Sequence, residues 1–197
     1  MKRLVITLSP LILLLFAGFS STAQNSVVNY LNTKDTLFYN NVAYKLSWSS
    51  HPADNYYKQE YLPTGENPDK YNSMLLIDFV ITPEVDVTVV GQKVAEINER
   101  KKNDPVANYA LLQSENTNEY LLDFSLSNGK AFGIVEWNAY RYNGYTDKLG
   151  HQGVILFGLS KRAYGNAAMD FMRALGSMRR EQMKLFSVCK TPDIEIR

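Results

Sequence analysis

The chain has 197 residues, with 21 Lys and Arg against 20 Asp and Glu, a net charge of +1, 45% hydrophobic residues, two His and one Cys. That length closes one core, or at most two small ones. The near-zero charge excludes the electrostatic footprint of a general nucleic-acid binder, and a lone Cys excludes both a disulfide framework and a multi-Cys zinc or iron–sulfur site.

Residues 1–23 read as an export signal. Lys2 and Arg3 form a short positive start, residues 4–19 are almost wholly apolar around Leu11-Ile12-Leu13-Leu14-Leu15-Phe16, and Ser21-Thr22-Ala23 supplies small residues for cleavage before Gln24. The apolar run is only just shorter than the ~20 residues that span a bilayer. Pro10, Gly18 and the small residues at its end favour cleavage over anchoring. Because Cys189 is the sole cysteine, lipid attachment after the signal is excluded, and the expected product is periplasmic or secreted with no stable membrane anchor. Loss of Lys2 and Arg3 with the signal turns the net charge from +1 to −1.

Residues 24–35 form a polar arm leading into one domain over residues 36–197. Residues 36–39 and 42–48 are β-rich runs flanking Asn40-Asn41, and Val42, Tyr44, Leu46 and Trp48 recur with period two, which predicts a hairpin. Residues 49–55, with Pro52, read as a loop, and 56–62 as a strand ending at the breakers Pro63 to Pro68. Residues 73–81 are apolar except for Asp78, the pattern of a central strand covered on both faces. Thr82-Pro83 then suits a helix start, and Val87, Val90, Val94 and Ile97 recur at helical spacing, predicting a helix over 86–102 with Gln92, Lys93, Glu96, Glu99 and Arg100 on its polar side. Val85, Val87 and Val89 also alternate as a strand would.

Period two returns over 109–114, 120–127 and 130–142. Asn128-Gly129 joins the last two as a tight hairpin, and Asn143-Gly144 marks another turn. Residues 153–160 form a buried strand. Residues 166–186 form the last helix, with Ala168, Phe171, Met172, Leu175 and Met178 on one face. Runs of hairpins with two long helices predict an α+β domain, a mainly antiparallel sheet covered by a mid-chain helix and a long C-terminal helix.

This order of elements behind an export signal resembles the PsbP-like α/β/α sandwich. The resemblance covers nearly all of the chain after the signal and rests on element order. It implies an accessory, assembly or binding protein without enzymatic activity. The Ser-Thr-Ala-Gln end of the signal also looks like those of exported bacterial proteins.

Catalytic motifs are absent from the sequence: there is no Gly-x-Ser-x-Gly elbow, P-loop, Gly-x-Gly-x-x-Gly or His-Glu-x-x-His. His51 precedes Pro52 in a predicted loop. His151, in Gly150-His151-Gln152-Gly153, sits where a loop meets a buried strand, and Asp147 is the nearest carboxylate that could orient it as a general base. Cys189 reads as an inert thiol near the chain end, since neither a base nor a lowered pKa is indicated for it. No metal or cofactor is expected.

Two surface features stand out. Alternation over 135–142 puts Val135, Trp137 and Ala139 on one face and Glu136, Asn138, Tyr140 and Tyr142 on the other, and an exposed Tyr- and Asn-rich face could stack on a saccharide or hold an envelope protein. From Lys161 onward eight basic residues oppose four acidic, so the C-terminal helix could meet an anionic surface. The reading favoured by these observations is an exported binding or assembly domain, with Asn138, Tyr140, Tyr142 and His151 as candidate binding residues and no catalytic residue. The alternative is a periplasmic hydrolase using His151 and a carboxylate.

Overall fold

The computed structural model describes residues 27–82, 88–115, 117–128 and 133–197. The signal assigned to residues 1–23 and the helix start at 83–87 lie outside the described residues, as does Gly129. Eight strands, β1 (Thr36–Tyr39), β2 (Val42–Ala53), β3 (Tyr56–Pro63), β4 (Ser73–Ile81), β5 (Asn108–Gln113), β6 (Tyr120–Ser127), β7 (Ile134–Thr146) and β8 (Gln152–Tyr164), form one antiparallel sheet. Its order is β1-β2-β3-β4-β8-β7-β6-β5. Helices α1 (Thr88–Arg100) and α2 (Asn166–Ser187) complete an α+β fold. Among the described residues no helix is long and apolar enough to cross a membrane.

Strand alternation distributes the core to both faces of the sheet. Leu75, Ile77 and Phe79 of β4, with Ile155, Phe157 and Leu159 of β8 and Trp137 of β7, meet Phe186 of α2 and the tail residues Ile194 and Ile196. Met74 and Leu76, with Leu156 and with Leu122 and Phe124 of β6, meet Val90 and Ile97 of α1 on the opposite face. The central strands β4 and β8 are thus covered twice, which explains their nearly unbroken apolar runs. The C-terminal tail is part of this structure: Glu195 N–H donates to Leu31 O (2.8 Å) and Arg197 N–H to Tyr30 O (3.1 Å), so it pins the N-terminal arm to the sheet.

Local turn chemistry is legible at Asn40-Asn41, where both residues take positive φ (46° and 62°), the geometry of a two-residue hairpin that asparagine tolerates. Three expected breaks are corrected. The loop placed at 49–55 is strand as far as Ala53, which pairs with Tyr56. Pro52 is accommodated because the register shifts between Ser50 and Ala53, an irregularity in which no ladder N–H is required. The turn at Asn143-Gly144 is strand as well: Asn143 pairs with Ile155 and Gly144 with Val154, and the chain reverses at 147–151 around Gly150 (φ 89°). The tight hairpin at Asn128-Gly129 is replaced by a longer connection, because Ser127 pairs with Val135.

Candidate functional site

Between α1 and the sheet lies a cleft of about 530 Å³. Its apolar walls are Leu76 and Val80 of β4, Val154 and Leu156 of β8, and Val89 of α1; its polar groups come from Tyr56 and Lys58 of β3, Asp78 of β4, Tyr140 and Tyr142 of β7, and Gln92, Lys93 and Glu96 of α1. A pocket of this size with apolar walls and a few convergent polar groups is the usual form of a small-molecule site.

Each polar side chain reaches the cleft through its strand's alternation. Asp78 takes the one α1-facing place in β4 not filled by an aliphatic side chain between Leu76 and Val80, directly opposite Lys58 in the β3–β4 ladder. Its Oδ2 accepts a hydrogen bond from the Tyr56 hydroxyl (2.8 Å), and Oδ1 is buried without a partner. Burial pushes the Asp78 carboxyl up to about 6, against the opposing pull of the Lys58 charge, the Tyr56 hydrogen bond and Lys93. Burial likewise raises Tyr140 and Tyr142 above the ordinary phenol range, so both hydroxyls are neutral.

Tyr140 lies across from Gly158 of β8. A Cβ at Gly158 would come within 2.7 Å of the Leu76 side chain and 3.0 Å of the Tyr140 ring, so glycine there gives the ring its seat. Tyr140 packs edge-on against Phe124 (centroids 4.9 Å apart) and sits 6.4 Å from Tyr142.

The face of β7 that could have served as an open binding surface is covered. Tyr142 is 2% exposed and Asn138 fully buried, because α1 lies over this side of the sheet. Tyr140 and Tyr142 line the cleft; Asn138 does not, and its amide donates to Glu136 Oε1 (3.0 Å) while its Oδ1 has no partner. Asp78, Tyr56 and Lys58 complete the cleft without having been singled out as site residues. The one sign of them in the sequence is the carboxylate interrupting an apolar run.

His151 lies away from the cleft lining, in the β7–β8 turn. Its Nδ1 contacts Asp147 Oδ2 at 2.9 Å. The Asp147 carboxylate is buried, and it also accepts the backbone N–H groups of Leu149, His151 and Ile196 at 2.9, 2.9 and 3.1 Å. Burial acts to raise its pKa, but the His151 ring and the backbone donors outweigh burial and hold Asp147 at about 2. The pair can orient an imidazole for proton transfer. It also fastens the turn to the tail. His51, expected in a loop, is instead a β2 residue stacked on Tyr57 with centroids 4.1 Å apart.

Two other features lose chemical interest in the structure. Burial raises the Cys189 thiol pKa, with Arg141 opposing, which disfavours a nucleophilic thiolate. On α2, Arg179 is paired with the buried carboxylate of Asp123 and Arg173 with Asp170, so part of the helix's positive charge is neutralised. Among the described residues no cluster of three or more His, Cys, Asp or Glu could hold a metal.

A protein-family model matches residues 31–190, which span the ten elements of the described residues and the whole cleft. The chain belongs to that family. No curated protein and no solved structure matches it.

Proposed function

We propose that this family member is an exported domain of the cell envelope that works by non-covalent binding or assembly, with the α1–sheet cleft as its recognition site. The observation that carries the reading is the lining of that cleft, where three tyrosines and a buried carboxyl meet aliphatic walls. Export rests on the sequence of residues 1–23, and the resemblance to PsbP-like accessory proteins rests on the order of the elements.

Both parts can be tested in one bacterial strain producing the full chain with a C-terminal tag. The expected product begins at Gln24 and is released by osmotic shock or found in the medium without detergent; an intact Met1 in the cytosol, or retention in the membrane fraction, overturns export. A photo-crosslinking amino acid at Gln92, on the cleft wall, is expected to capture an envelope component that one at the exposed Glu181 of α2 does not. Equal capture at both positions, or none at Gln92, overturns the cleft as the recognition site.

One observation favours a second reading, a periplasmic hydrolase with His151 as general base: the 2.9 Å contact that orients its imidazole on Asp147. On that reading the purified protein cleaves at least one chromogenic ester, phosphate or glycoside, and His151→Ala lowers the rate by roughly 10²–10⁴-fold. Cleavage unaffected by His151→Ala, or no cleavage, removes it.

A further inference from the structure

We propose that the cleft beneath α1 takes a neutral, hydroxyl-rich ring of the saccharide type, its apolar face against the aliphatic wall and its hydroxyls on Asp78, Tyr140 and Tyr142. The proposal rests on the cleft being the recognition site and adds the chemical class of what enters it.

Charge is the first argument. Lys58 and Lys93 line the cleft with Asp78 and Glu96, so the lining sums to zero. Both lysines are already engaged, Lys93 meeting Glu96 at 2.8 Å and Lys58 meeting Glu60 at 3.2 Å, while Asp78 takes only the neutral Tyr56 hydroxyl. An ammonium entering beside Asp78 would face Lys58 and Lys93, and a carboxylate would face Asp78 and Glu96. A carboxylate would give up its hydration for no free counter-charge, and an ammonium would gain Asp78 alone against the two lysines beside it.

Hydrogen bonding is the second. Among the described residues the hydroxyls of Tyr140 and Tyr142 have no hydrogen-bond partner, and neither has Asp78 Oδ1. A phenol both donates and accepts, as a sugar hydroxyl does, so the two satisfy each other in either direction. A carboxyl accepts from a sugar hydroxyl whether or not it is ionised. Shape is the third: Leu76, Val80, Val154 and Leu156 form a continuous apolar wall beside the tyrosine rings, suited to the C–H face of a pyranose.

The test is amide chemical-shift titration of the purified protein with methyl β-D-glucopyranoside, N-acetylglucosamine and cellobiose as neutral probes, and with phenethylamine and phenylacetate as charged ones. The expected result is saturable shifts at Asp78, Gln92, Tyr140 and Tyr142 with at least one neutral probe, and affinity at least about tenfold weaker for both charged probes. Tyr140→Phe and Tyr142→Phe keep the rings and should each weaken binding by roughly three- to tenfold, the loss of one hydrogen bond. Between pH 5 and pH 7.5, with Tyr56, Lys58 and Glu60 on β3, Lys93 and Glu96 on α1, and Tyr140 and Tyr142 on β7 facing Asp78, neutral-probe affinity should change less than about threefold. Ammonium binding would instead fall about tenfold for each pH unit below the carboxyl's ionisation.

If charged probes shift the cleft amides and neutral ones do not, the ligand class is overturned and the recognition site stands. If the neutral probes shift residues elsewhere, or all variants bind alike, the placement of the sugar is overturned. If no probe of either class perturbs the cleft, both the proposal and the reading beneath it fall.

Discussion

Replacing Trp137 by alanine is expected to lower the free energy of unfolding by about 3–5 kcal/mol, read as a fall in urea midpoint at unchanged slope. Trp137 is 1% exposed on the α2 face of β7, where it fills the space among Ala139, Leu159 and the buried surface of α2. Its indole N–H donates to Asp123 Oδ1 (2.7 Å), and the second oxygen of Asp123 takes Arg179 of α2. The alanine variant leaves a cavity and removes one donor from a buried carboxylate, and these two losses add. Trp137→Phe keeps a six-membered ring but loses three heavy atoms of the indole, the N–H among them, so a smaller cost than the alanine change, about 2–3 kcal/mol, is expected. A cost below about 1.5 kcal/mol for the alanine change would show that α2 is not packed on β7 as described.

The fold was legible where backbone pattern and burial agree. Residues 73–81 and 120–127 are strands with the expected bounds, the first because a run covered on both faces needs no turn chemistry to be recognised, the second because its period-two alternation marks it. Pro52 and Asn143-Gly144 misled for the opposite reason: locally they break strands, but β3 and β8 offer ladder partners on the far side of each, and tertiary pairing overrides the local preference. The site was legible only in pieces. Tyr140 and Tyr142 share a face by alternation, yet whether that face is open depends on α1, which is some forty residues earlier in the chain. Asp78 shows as an interruption in an apolar run, while Tyr56, Lys58 and Lys93, which surround it, come from two other elements and carry no mark of their own. His151 and Asp147 are only four residues apart, so their contact is the kind that sequence proximity does anticipate.

Asp78→Asn is expected to stabilise the protein by about 2–3 kcal/mol at pH 7.5, and the gain should shrink toward zero by about pH 4. The sign follows from the direction of the shift. Burial raises this carboxyl from an ordinary 3.8 to about 6, so the folded state holds the proton more tightly than the unfolded chain does. Its stabilising contribution is complete below about 3.8 and is lost as the pH rises through 6, after which the charged form is carried at a roughly constant cost. The amide keeps an oxygen for the Tyr56 hydroxyl and carries no charge, so it escapes that cost at neutral pH and is worth little in acid. Melting temperatures of the two proteins from pH 4 to pH 8 check this: they should converge at low pH, and parallel curves would refute it. The neighbouring α1-facing places in β4 hold Leu76 and Val80, so an aliphatic residue at Asp78 would fit the pattern of the strand at no electrostatic cost. The carboxyl thus costs stability at neutral pH in a cleft that also holds two unpartnered phenols, the setting in which a perturbed group marks a candidate site. The variant should therefore gain stability at neutral pH while its amide, like the protonated carboxyl, still offers one acceptor and one donor edge to a sugar hydroxyl.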